Sequence, residues 1–144
     1  MYLNVHQNAL QLNTFCQPQK LFNNMFDHTN WDLIFLYIKD HLEQDKHAMP
    51  VAVGMCYRNT DTYTPFILGM SYTHQKSHNI YKQMLFQTVA RAKSLNVKSM
   101  NFGFGASEVK SRVGAEAIPT CAYIQLSEHF NQEELANITV ARKL

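Results

Sequence analysis

NIYKQMLFQTVARAKSLNVKSMNFGFGASEVKSRVG, residues 79–114, is the stretch whose reading decides the fold. From Ile80 to Leu95 the positions expected to be buried, Tyr81, Met84, Leu85, Thr88, Val89, Ala92 and Leu95, recur with a helical period. Lys82, Gln83, Gln87, Arg91 and Lys93 fall largely on the other side, and the basic residues near the end favour the helix dipole. Asn79 or Ser77 can cap the start, and Asn96 can take the left-handed conformation that ends a helix. Val97 to Phe104 then reads as a buried strand closing on two glycines. A long helix, a short exit and a strand form the crossover that joins two parallel strands. Ser107 caps a short helix expected over Glu108–Val113, which Gly114 ends.

Upstream, the segment from Pro50 to Tyr57 (PVAVGMCY) and that from Tyr63 to Tyr72 (YTPFILGMSY) flank the turn-rich Arg58-Asn59-Thr60-Asp61, and together predict a hairpin. Pro65 places an edge, a bulge or an irregular start in the second strand. Gly54 and Gly69 mark a bulge or a close approach to the backbone, for packing or for a ligand. WDLIFLYI (31–38) fits either a helical stripe or a strand covered on both faces; its aromatic and branched content favours the strand. Residues 39–48 read as a polar connection with room for a helical turn, and 73–78 as a polar loop. Gln17 to His28 predicts a helix with Pro18 in its first turn, and residues 1–14 are weakly patterned. Downstream, 118–126 predicts a strand, 128–137 a turn with a helical piece, and 137–141 an edge strand. The sum is one α+β domain over 1–144 with a mixed central sheet and a crossover helix.

Composition limits the function classes. Hydrophobic residues make up 46% of the 144, enough for a real core, and a net charge of +2 is too mild for a basic nucleic-acid grip. No run reaches the roughly 18 apolar residues of a membrane helix, and MYLNVHQNAL does not read as a secretion signal. Cys16, Cys56 and Cys121 are odd in number and widely spaced, which reads as reduced, mostly buried thiols of a cytoplasmic protein.

The hairpin, the helix and the element Asn101-Phe102-Gly103 followed by Lys110 and Gly114 together resemble the GNAT superfamily of N-acetyltransferases. Within it they are most similar to the FemAB-like branch of putative N-acyltransferases. The resemblance covers about residues 31–126 and implies a GNAT-like acyl-CoA N-acyltransferase fold. It implies direct transfer of an acetyl, acyl or aminoacyl group to a small-molecule or peptide amine. Acetyl-CoA or another acyl donor is the implied cofactor, and no metal is expected. Two departures stand out. The loop His74–Asn79 carries no glycine where the family cradles a diphosphate, which leaves other donors open, aminoacyl-tRNA included. Residues 1–30 make a shortened front end, as in one copy of a tandem-domain enzyme or a partner in a homodimer.

In this fold donor and acceptor meet where the central sheet splays. The resemblance points to Tyr72, Tyr81 and Asn101 as catalytic candidates and to Gly103, Gly105, Lys76 and Lys110 as donor-binding ones. Strand alternation puts Asn101, Gly103 and Gly105 on one open face. The tyrosines fit a core margin equally well. Lys76, Lys98, Lys110 and Arg112 make either a modest anion site or a solvated basic surface. His74 and His78, four apart, with His47 earlier, read first as solvated surface, and a Cys–His nucleophilic pair remains a spatial question. The alternative function is a non-catalytic domain of the same fold that serves interaction or dimerisation, with an apolar patch from Met25, Phe26 and Trp31.

Overall fold

A computed structural model describes residues 1–8 and 16–121 of the chain. The elements run α1 (Tyr2–Gln7), α2 (Gln19–Asp27), β1 (Trp31–Leu36), α3 (Lys39–Gln44), β2 (Ala52–Arg58) and β3 (Thr62–Met70). A 3-10 turn (Tyr72–His74), α4 (Gln75–His78), α5 (Ile80–Ser94), β4 (Ser99–Met100) and α6 (Ser107–Ser111) follow. The described residues form an α+β fold around a mixed sheet of order β1-β2-β3-β4, in which only β3 and β4 are parallel.

The ambiguous stretch WDLIFL is a strand because β2 supplies partners for its backbone over Trp31–Leu36. The β2–β3 hairpin forms as expected, and Pro65 sits at a bulge. Met55 pairs with Ile67 but Cys56 with Pro65, so Phe66 is the extra residue. The crossover is present as β3–α5–β4. Helix α5 lies on the sheet face that carries Ile34, Ala52, Gly54, Cys56 and Met70, where Ile80, Met84, Leu85, Thr88 and Ala92 are buried. Tyr81, Val89 and Leu95 are half-buried at the margin of that face.

Both strand glycines serve packing. A Cβ on Gly54 would stand 2.8 Å from the Met84 sulfur, and one on Gly69 would stand 2.7 Å from the Tyr2 backbone nitrogen. Register puts Gly69 on the face opposite Gly54, so α1 covers the back of the sheet and α5 the front. The Tyr2 ring also packs at a tilt against Phe22 of α2, and its hydroxyl accepts the Gln17 N–H.

Several expectations need correction. The segment 73–78 is not an open loop but a 3-10 turn and a helical turn. Asn79 precedes α5 with φ +50° and makes no side-chain cap; the Gln75 Oε1 instead accepts the Tyr81 N–H at 2.9 Å. The strand expected over 97–104 shrinks to Ser99–Met100, because Gly103 and Gly105 take φ +62° and +73°, which no strand accommodates. The open-face alternation of Asn101, Gly103 and Gly105 falls with it. Ser107 is the first residue of α6, not its cap; that place belongs to Ala106 at φ +50°. Of the three thiols only Cys56 is buried. Ile118–Cys121 is not strand; the remainder of that expected strand, the helical piece over 128–137 and the strand over 137–141 lie outside the described residues. No helix among the described residues is long and apolar enough to cross a membrane.

Candidate functional site

Strands β3 and β4 pair only at Thr62–Ser99 and Tyr63–Met100. The Asn101 N–H still donates to the Tyr63 carbonyl at 3.1 Å, and then the two chains part. Beyond that point β3 runs on to Met70 paired with β2 but, among the described residues, with no strand on its β4 side, while 101–106 turns away. Asn101 closes this turn by accepting the Gly103 N–H on its Oδ1 at 2.9 Å. Open space surrounds the Gly103 Cα, with nothing within 4 Å of a notional Cβ.

Lys110 holds the turn from inside. Its side chain reaches back from α6 and its Nζ donates to the carbonyls of Phe102 (2.7 Å), Phe104 (2.7 Å) and Gly103 (3.4 Å). Burial pulls the Lys110 ammonium below its ordinary value, while three carbonyl dipoles favour the charged form. The four-residue basic site does not assemble. Lys110 faces the loop carbonyls, Lys98 pairs with Asp61 at 2.9 Å, and Arg112 pairs with Glu108 at 2.6 Å. Lys76 stays exposed on α4.

Tyr81, the second residue of α5, packs against the cluster of Ile38, Val51, Ala52, Met70, Ile80 and Met84. Burial raises its hydroxyl from the ordinary phenol value, so it keeps its proton at neutral pH. Tyr72 is exposed in the 3-10 turn. An open groove of about 440 Å³ connects the start of α5 with α6, lined by Lys82, Gln83, Leu85, Phe86, Val109, Arg112 and Val113. The fold thus gathers Asn101, Gly103, Gly105 and Lys110 into one loop–helix unit and brings α5, with Tyr81 in its first turn, beside it. Tyr72 and Lys76 belong to the separate segment before Asn79.

Two constellations go beyond the sequence reading. The His74 and His78 rings meet at 5.8 Å between centroids, and His74 also meets His41 of α3 at 5.3 Å, a residue the sequence did not single out. No three His, Cys, Asp or Glu side chains among the described residues are arranged to hold a metal ion. The second is a polar chain under α5. The Tyr63 hydroxyl donates to Asp32 Oδ2 at 3.3 Å and the Arg91 Nε donates to the same oxygen at 2.8 Å. Burial would raise the Asp32 carboxyl, but Arg91, the Tyr63 hydroxyl and Arg58 outweigh it and hold it below the usual value. Burial, with the Asp32 charge nearby, pushes the Cys56 thiol up to about 11 against the opposing hydrogen bonds of Tyr63 and Thr88, which removes it as a nucleophile at neutral pH.

Because the folded Asp32 is the stronger acid, its contribution to stability is complete above the unfolded value of about 3.9 and is lost as pH falls through the lower folded one. Asp32→Asn is expected to flatten that part of the acid limb, read by urea denaturation between about pH 2.5 and 6; an unchanged limb would show that Asp32 titrates alike in both states. Searches for similarity found no family model, no curated protein and no solved structure that matches the chain.

Proposed function

We propose that this chain is an N-acyltransferase of GNAT-like fold that moves an acyl or aminoacyl group directly from a carrier to an amine. The observation that carries the reading is the parting of β3 and β4 after two residue pairs. In this reading the place where the strands part, beside the crossover helix, is where a carbonyl and an incoming amine would meet. The amine lone pair would attack the acyl carbon, its proton would pass to solvent, and the bond to the carrier would break. Tyr81, still protonated at neutral pH, is suited to donate to the departing group. Lys110 and Asn101 would act through the backbone, by fixing the turn that walls the gap.

The α5–α6 groove fits part of a chain-like donor: Leu85, Phe86, Val109 and Val113 offer apolar contact, with Lys82 for an anionic end, Arg112 being paired with Glu108. The glycine-free segment before α5 is taken up by the 3-10 turn and α4, so it offers no glycine-rich cradle for a diphosphate. Acetyl-CoA, a longer acyl-CoA and aminoacyl-tRNA should therefore be compared as donors by thermal shift. At least one is expected to raise the melting temperature, because a ligand at 100 times its Kd adds about 2.7 kcal/mol. Failure of all three to bind would sink the proposal.

A second reading, an interaction or dimerisation module, is favoured by exposed aromatics. Phe26 and Phe66 are 53% and 60% exposed, Phe66 makes an edge contact with the half-buried Trp31, and Met25 is buried. Light scattering that finds only monomer at high concentration would count against a homodimer.

A further inference from the structure

At the opposite edge of the sheet from β4, a second open groove of about 440 Å³ runs between α5 and β1. Its helical wall is Gln87, Ala90, Arg91 and Ser94, and the spacing of three and four residues puts all of them on one face of α5. Its other wall is Asp32, Leu33 and Ile34 of β1. Arg91 is not loose in this groove. Its Nε is fixed by Asp32 Oδ2, and Asp32 is fixed in turn by the hydroxyl of Tyr63, whose side chain is wholly buried. The Arg91 side chain is nevertheless 43% exposed, against 15% for Asp32.

We propose that this groove binds a small monocarboxylate with a short apolar body, which Arg91 receives. The buried Tyr63–Asp32 pair holds the guanidinium by one edge. The terminal amino groups retain the planar fork of donors that suits a carboxylate. Gln87 stands one turn away as a further polar partner, while the Ser94 hydroxyl is already donated to the Arg91 carbonyl, and Leu33, Ile34 and Ala90 give the body of the ligand an apolar wall. The volume falls in the range of about 300–1,000 Å³ usual for small-molecule pockets. Charge selects the class. Asp32 sits on the same guanidinium, so a phosphate dianion meets more repulsion here than a singly charged carboxylate does. The site is separate from the β3–β4 gap, so it does not depend on the acyltransfer reading.

The test is an amide NMR titration of the full chain with sodium butyrate, against sodium phosphate and sodium chloride at constant ionic strength. Butyrate is expected to give saturable shifts confined to residues 32–34 and 87–94, and the other two salts are not. Arg91→Gln should weaken butyrate binding by about tenfold or more, the usual loss for one charge-assisted contact. Arg91→Gln also breaks the pair with Asp32, so Ala90→Trp is the companion variant. Ala90 is exposed, and a large side chain there fills the groove while leaving the pair in place; it should abolish the shifts. Shifts that never saturate, that appear equally with chloride, or that survive Ala90→Trp would overturn the proposal.

Discussion

Tyr63→Ala is expected to lower stability by about 3–5 kcal/mol, the range for removing a large buried aromatic. Tyr63 is 0% exposed and packs with Cys56 and Ala92 where β2, β3 and α5 meet. Its main chain also anchors the last bond of the parallel pair, to Asn101. Tyr63→Phe separates the two contributions. It keeps the ring and removes only the hydroxyl that Asp32 accepts, so about 1–2 kcal/mol is expected. Asp32 stays paired with Arg91 in that variant. Urea denaturation of the three proteins checks both values. Equal losses for Ala and Phe would mean that the hydroxyl, not the packing, dominates this part of the core.

Lys110→Met should cost about 1–3 kcal/mol and, with it, the shape of the turn at 101–106. Methionine retains much of the side-chain length but offers no donor, so the carbonyls of Phe102, Gly103 and Phe104 lose their common partner. Exposure of Gly103 and Phe104 lets water satisfy some of them, which keeps the cost below that of a fully buried charge. The local consequence is larger than the global one. Hydrogen exchange at 101–106 is expected to accelerate well beyond the change in overall stability. If the proposed function holds, donor binding falls in parallel. Lys110→Arg is the control for charge without the point geometry of an ammonium. Unchanged exchange in Lys110→Met would show that the turn is held by its backbone alone.

The helix 80–95 was legible because its burial repeats with the helical period, and the hairpin because turn residues separate two apolar runs. Asn96 as the helix exit was equally readable, since its φ of +53° is a conformation asparagine tolerates. The strand 97–104 was misjudged beyond Met100. Apolar alternation there looked like a strand, but the glycines mark a turn, and the force that closes it comes from Lys110, eight residues after Phe102. Proximity in sequence gave no sign that a lysine on the following helix would spend its donors on those carbonyls. The bond from Tyr81 to Gln75 is illegible for the same reason, because Gln75 lies outside α5, farther from its start than a cap residue stands.

What the sequence by itself determined is what depends on neighbours along the chain: periodicity, turn chemistry and hence the order of helix and strand through the crossover. What only the tertiary structure decided is which polar groups meet. Asp32 and Arg91 lie 59 residues apart, and Asp32 and Tyr63 lie 31 apart, yet one carboxylate oxygen binds both. His41 reaches His74 by the same kind of long return. Such meetings follow from strand register and from the face α5 presents to the sheet. The parting of β3 from β4 is likewise a property of two strands together, set by where their backbone hydrogen bonds stop.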